Sequence, residues 1–107
     1  MSLKIGDTFS STKQITDHEI HTFAELVNDF NPIHIDDDYA ATTRFGKRIA
    51  HGMLTAGLIS GVLGYQLQER KVLYLSQTLK FIAPVFVNDT VTATATVASV
   101  RDDKPIV

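Results

Sequence analysis

Asp29 and His34 stand at the two ends of the stretch "DFNPIH", separated by Phe30, Asn31, Pro32 and Ile33. A carboxylate and an imidazole aimed at one water make a general acid/base pair. The Asn31-Pro32 step stiffens the loop between them, so the two side chains can be held facing one point. Each also has an ordinary reading, Asp29 as a helix cap or solvated charge and His34 as a surface histidine. A second block, "RIAHGM", puts His51-Gly52 where an apolar helix begins. The free N–H groups of a helix start, with the dipole behind them, suit a developing oxyanion. A glycine there lets a ligand approach the backbone closely. The first block offers proton transfer and the second an oxyanion partner.

The elements that must position these residues follow from local signals. "DTFSSTKQI" alternates moderately and reads as a strand, with an edge position favoured. Thr16 opens "TDHE", a capping box closed by Glu19. Ile20, Phe23, Ala24, Leu26 and Val27 then recur at close to helical spacing. That helix cannot pass Asn31-Pro32, because the residue before proline avoids the α region, so "NDFNPIH" reads as the loop after it. "DDDYAATTRF" reads as a second short helix, with a leading aspartate as N-cap and Gly46 as its end. A long apolar helix is expected from about Ile49 to Leu67. "KVLYLSQTLKFIAPV" alternates around Leu73, Leu75, Leu79 and Phe81, as a strand closed by Pro84. "NDT" is a turn signal, and "TVTATATVASVR" is a β-branched strand of about ten residues. "DDKP" reads as another hairpin turn, followed by Ile106-Val107, a strand begun and not finished. A sheet of so few strands would leave the long helix poorly covered.

The totals bound the class. A chain of 107 residues holds one small domain. Its 44% apolar and 21% charged residues are those of an ordinary globular protein. The net charge of −2 is scattered, with neither a basic run for nucleic acid nor an acidic tail. The absence of cysteine excludes disulfides, thiolate metal sites and a cysteine nucleophile. No apolar stretch of signal-peptide length opens the chain, so the expected location is cytoplasmic. Residues 49–67 are nearly uncharged and hold Gly57 and Gly61 in GxxxG spacing, as membrane helix pairs do. His51, Ser60, Gln66 and the glycines dilute that apolarity, and the favoured reading is a helix buried all round in a water-soluble fold.

"AELVNDFNPIHIDDDYAATTRFGKRIAHGMLTAGLISGVLG" resembles the (R)-specific enoyl-CoA hydratases of the MaoC-like, hot-dog-fold family. The family pattern of an acid, any residue, Asn-Pro, an apolar residue and His is met by Asp29, Asn31, Pro32, Ile33 and His34. Tyr39-Ala40 and the downstream Ala50–Met53 also match, and "LKFIAPVFVNDTVTATATV" resembles the family's strands. Two departures are visible. Asn28 stands where the family usually has glycine, and asparagine also tolerates left-handed backbone. Family members continue past "DDKP" with two more strands.

The resemblance implies an α+β hot-dog fold, residues 1–107 forming a single domain with a long central helix wrapped by a curved antiparallel sheet, and lacking the last two strands. It implies a homodimer with the active site near the subunit interface, and hydration of trans-2-enoyl-CoA to (R)-3-hydroxyacyl-CoA. Asp29 and His34 would hold the water, Gly52 N–H would bind the thioester oxygen, and Asn31 and Ser60 would support them. On the helix, Ala56, Ser60 and Leu63 share the face of Gly52 and are expected to floor the acyl pocket. Coenzyme A would arrive as part of the substrate, with no separate cofactor and no metal.

Other readings stay beside this one. "HIDDD" could gather a metal, although helix capping explains its aspartates more simply. His18 and His21 look solvated, and His51 either orients the loop by a hydrogen bond or packs there. The helix glycines 57, 61 and 64 favour close packing. A dehydratase of 3-hydroxyacyl-carrier-protein thioesters would use the same groups in reverse. A thioesterase of this fold would be expected to place a carboxylate on the central helix, and residues 49–67 have none. A non-catalytic acyl-thioester binding module or a fragment is the remaining alternative.

Overall fold

The computed structural model describes residues 3–66 and 73–101. Strand β1 (Thr8–Gln14) leads into helix α1 (Asp17–Val27). The capping box forms as expected: Thr16 Oγ1 accepts the Glu19 N–H at 3.2 Å, and the Glu19 carboxylate accepts the Thr16 N–H at 3.1 Å. The helix buries Ile20 and Ala24 and stops at Asn28, whose φ of 61° is left-handed. Asparagine can hold that conformation, so it serves where glycine was expected.

The stretch expected as a plain loop contains a helical turn, α2 (Pro32–Ile35). Pro32, which lies five residues past the end of α1, sits at the first helical position of α2, where its missing N–H costs nothing. The Asn31 side chain caps the turn by accepting the Ile33 N–H at 3.1 Å. Helix α3 (Asp37–Ala41) is capped by Asp36, which accepts the Tyr39 N–H at 3.0 Å. It ends at Ala41, before the expected Gly46. The Thr42 and Thr43 hydroxyls take the carbonyls of Tyr39 and Ala40 there, competing with continued helix.

Helix α4 spans Gly52–Gln66 and so begins three residues later than expected. Ile49 bridges Phe86, and Ala50 N–H donates to the Val85 carbonyl at 2.7 Å, so both residues are already committed as extended backbone. Strand β2 (Thr90–Thr96) pairs antiparallel with β1, from Thr8 opposite Thr96 to Gln14 opposite Thr90. It is shorter than the ten residues expected.

The described part of the "KVLYLSQTLKFIAPV" segment forms no strand ladder. Its alternation marks two faces, but a strand also needs partners for its N–H and C=O groups, and among the described residues only its last carbonyl, that of Val85, meets one, the Ala50 N–H. Leu73, Leu75 and Ile82 are exposed. The "DDKP" turn and Ile106-Val107 lie outside the described residues.

The core gathers Ile15, Ile20 and Ala50, with Leu54, Leu58, Val85, Val87 and Val91 packed against it. Leu54, Leu58 and Val62 recur every four residues, and Val62 is fully buried. Met53, Gly57, Ser60, Gly61 and Tyr65 are exposed, so α4 is covered on one side and not buried all round. The two strands among the described residues are too narrow to wrap an apolar helix. No helix among the described residues is long and apolar enough to cross a membrane.

Candidate active site

Backbone geometry brings both sequence blocks to one place. The left-handed turn at Asn28 swings Asp29 off the end of α1, and Asp29 N–H bonds the Ala24 carbonyl at 3.0 Å. Asp29 Oδ1 accepts the Asn31 N–H at 3.2 Å, an Asx turn that orients the carboxylate. Asn31 thus caps α2 with its side chain and holds the Asp29 carboxylate with its backbone N–H.

His34, on α2, is buried. Its Nδ1 lies 2.8 Å from the Ile49 carbonyl, which can only accept, so Nδ1 carries the proton and Nε2 the lone pair. Burial pushes the imidazole below its usual pKa. The bond to Ile49 acts in the opposite sense, neighbouring His51 adds to the lowering, and the Asp29 charge works against it. The ring is therefore neutral at pH 7.

His51, immediately before α4, is also buried. Its ring stacks on His34 with centroids 3.8 Å apart and planes inclined by 29°. Its Nε2 donates to the backbone carbonyl of Asp29 at 3.0 Å and stands 4.0 Å from Asp29 Oδ2. One side-chain donor atom each of Asp29, His34 and His51 lies within 4.8 Å of the others. A metal needs lone pairs that converge. One nitrogen of each ring is already engaged with a backbone carbonyl, so each ring has at most one lone pair left to offer.

Gly52 opens α4. No acceptor among the described residues meets its N–H, and the Phe81 ring closes over it: a Cβ added there would fall 2.8 Å from Phe81 Cε1. Gly52 lines a cavity of about 430 Å³ with Arg44, Phe45, Met53, Phe81 and Pro84 among its walls. Ala56 and Ser60 line a second hollow, of about 350 Å³, facing Tyr74 and Leu75. Met53 borders both. Leu63 lines neither, and no hydrogen bond joins Ser60 to Asp29.

The aspartates of "HIDDD" serve the helices. Asp36 caps α3, and Asp37 pairs with Arg48 at 2.7 Å. His21 is exposed beside Asp17. Arg48 is the residue that sequence reasoning missed. Its guanidinium donates to Asp17 and Asp37, each at 2.7 Å, and to the His34 carbonyl at 3.1 Å. It ties the starts of α1 and α3 to the turn carrying His34. The only sequence signal was an arginine beside the "IAHG" block.

A family model of the MaoC like domain matches residues 3–106. The chain is 49% identical over 105 residues to an (R)-specific enoyl-CoA hydratase of Aeromonas caviae, covering 98% of this chain and 78% of that protein. It is 50% identical over 105 residues to an enzyme of the same name from Rhodospirillum rubrum, covering 98% of this chain and 73% of that one. The solved structure of the (R)-hydratase from A. caviae involved in PHA biosynthesis superposes with a TM-score of 0.93 at 48% identity, over 97% of this chain and 79% of that one. The architecture is therefore the hot-dog fold, and this chain is shorter than these relatives.

Proposed function

The chain belongs to the MaoC-like domain family, and from that premise we propose that it is a hydro-lyase adding water to trans-2-enoyl-CoA to give (R)-3-hydroxyacyl-CoA. The observation that carries this reading is the near-full-length match, at about half identity, to two enzymes named for that reaction. The site geometry supplies a mechanism.

Asp29 and His34 hold one water between them. Two hydrogen bonds of about 2.8 Å meeting at a tetrahedral angle span about 4.6 Å, and one polar side-chain atom of each residue lies within 4.8 Å of one of the other's. Asp29 accepts one O–H and orients the oxygen. The Nε2 lone pair of neutral His34 takes the other proton as the oxygen bonds to the β-carbon. The C=C electrons shift toward the thioester, and its oxygen gathers charge at the Gly52 N–H. The imidazolium then returns the proton to the α-carbon, so H and OH have been added and the enzyme is unchanged. Dehydration of a 3-hydroxyacyl thioester, on CoA or a carrier protein, is the same path reversed.

The acyl chain lies along the α4 face of Ala56, Ser60 and Leu63, with Ser60 a supporting group. No resident cofactor is needed, since the substrate brings its coenzyme A. The working form is a cytoplasmic homodimer, for which the exposed Leu73, Leu75, Phe81 and Ile82 offer apolar surface.

Hydration assays across enoyl-CoA chain lengths, with chiral analysis of the product, test the reading. The (R)-alcohol is expected. An (S)-product, or no turnover at any length, would sink it.

A further inference from the structure

Resting on the hydratase reading, we infer that His51 is a positioning residue, one that holds Asp29 and His34 at their shared water without touching it. Four features of its surroundings converge on this role. The ring is 3% exposed, so its contacts are fixed by the interior. Nε2 lies 3.0 Å from the Asp29 carbonyl. A carbonyl only accepts, so Nε2 carries the ring proton. One face stacks on His34 at 3.8 Å, while Phe23 meets the ring edge-on at 5.0 Å. The His51 carbonyl accepts the Leu54 N–H at 3.0 Å, at the start of α4.

One residue therefore contacts the backbone of the acid, the ring of the base and the helix start that presents Gly52. Its reach is long, since Asp29 lies 22 positions away in the chain. The 28–31 corner that carries Asp29 is exposed and otherwise bonded locally, through Ala24 and Asn31. The Nε2–H bond ties that corner to the mouth of α4.

A purely packing role fits poorly. Nδ1, the other ring nitrogen, is buried without a partner among the described residues. Buried polar atoms are nearly always bonded, and an orphan calls for an explanation. Phenylalanine would keep an aromatic ring against His34 and leave no orphan, at a somewhat larger volume. What it lacks is the donor to Asp29.

The test compares His51→Phe and His51→Gln with the parent chain, in steady-state hydration of crotonyl-CoA and in thermal melts. H51F should still melt cooperatively and lose kcat by about tenfold or more, as small misplacements of reacting groups do, with KM changed less than about twofold. H51Q keeps an N–H donor and should hold kcat within about threefold of the parent. Parent-like kcat in H51F, or H51Q no better than H51F, would overturn the inference. If H51F folds poorly, His51→Met replaces it as the side chain without a donor, and equal kcat in H51M and H51Q overturns it. A parent chain inactive on every enoyl thioester sinks the hydratase reading and this inference with it. An active parent with unaltered variants sinks this inference alone.

Discussion

Asp29→Asn separates the charge of Asp29 from its shape. Most of what holds this residue is backbone: its N–H bonds Ala24, and its carbonyl accepts from His51. An asparagine Oδ1 can still accept the Asn31 N–H, as Asp29 Oδ1 does at 3.2 Å. Among the described residues, the only other polar contact of the side chain is the 4.0 Å approach of His51 Nε2, too long for a hydrogen bond. The side chain is 48% exposed, so no buried charge is created or removed. The expected stability change is below about 0.5 kcal/mol, or roughly 2–4 °C in melting temperature for a domain of this size. Activity should behave differently. An amide nitrogen donates where the carboxylate accepted, so the water loses the partner that orients it. Losing one member of an acid/base pair costs about 10²–10⁴-fold, equal to about 3–5 kcal/mol of barrier. The assay is crotonyl-CoA hydration, followed by loss of the enoyl thioester absorbance, beside thermal melts of both proteins. Activity within about threefold of the parent would refute the assignment. A loss of activity matched by collapse of the melt would refute the claim that charge and fold are separable here.

His34 gives the pH dependence a sign. Burial depresses its pKa below 6.5, so kcat/KM should fall on the acid side with a midpoint below that value; a midpoint above it would contradict the buried, neutral base. The same depression means that the unfolded chain binds more protons as pH falls below about 6.5, so stability should be full above that pH and decline beneath it, as denaturant melts across pH would show. Gly52→Ala puts a methyl 2.8 Å from the Phe81 ring, in the approach to the Gly52 N–H. It should cost roughly 10²-fold in kcat/KM, as losing an oxyanion donor does, and unchanged kinetics would exclude that role. Arg48→Ala removes donors to Asp17, Asp37 and the His34 carbonyl from a largely buried side chain. A loss of about 1–3 kcal/mol in denaturant unfolding is expected, and Arg48→Lys should recover only part of it, because one ammonium cannot reproduce the fork.

Where a signal and its structural effect lie within a few residues, the sequence was readable. The Thr16–Glu19 box, the left-handed Asn28 and the Asp36 cap all act over one to three positions, and each appears where it was expected. Proline at position 32 marked a boundary correctly. Its second role, starting α2, was overlooked because a proline that bars one helix can also open the next. The start of α4 was placed three residues early because Ile49 and Ala50 are apolar and fit the helical pattern. Their pairing with Phe86 and Val85, more than thirty positions on, is what holds them extended. The segment around Leu73 and Leu75 shows the converse, a clear strand pattern without a ladder among the described residues.

By itself, the sequence determined the chemical inventory and its local frames: an acid and an imidazole braced by Asn31-Pro32, and a glycine at the mouth of an apolar helix. It could do so because caps, turns and helix starts are set by neighbours along the chain. Only the tertiary structure decided which nitrogen of His34 is free, through the carbonyl of Ile49. It alone set the His51 ring against His34 and the Asp29 carbonyl, and Arg48 across three helix ends. Those contacts join residues 11 to 31 positions apart. They exist only once the strands and α4 have packed, and no local rule of the chain encodes them.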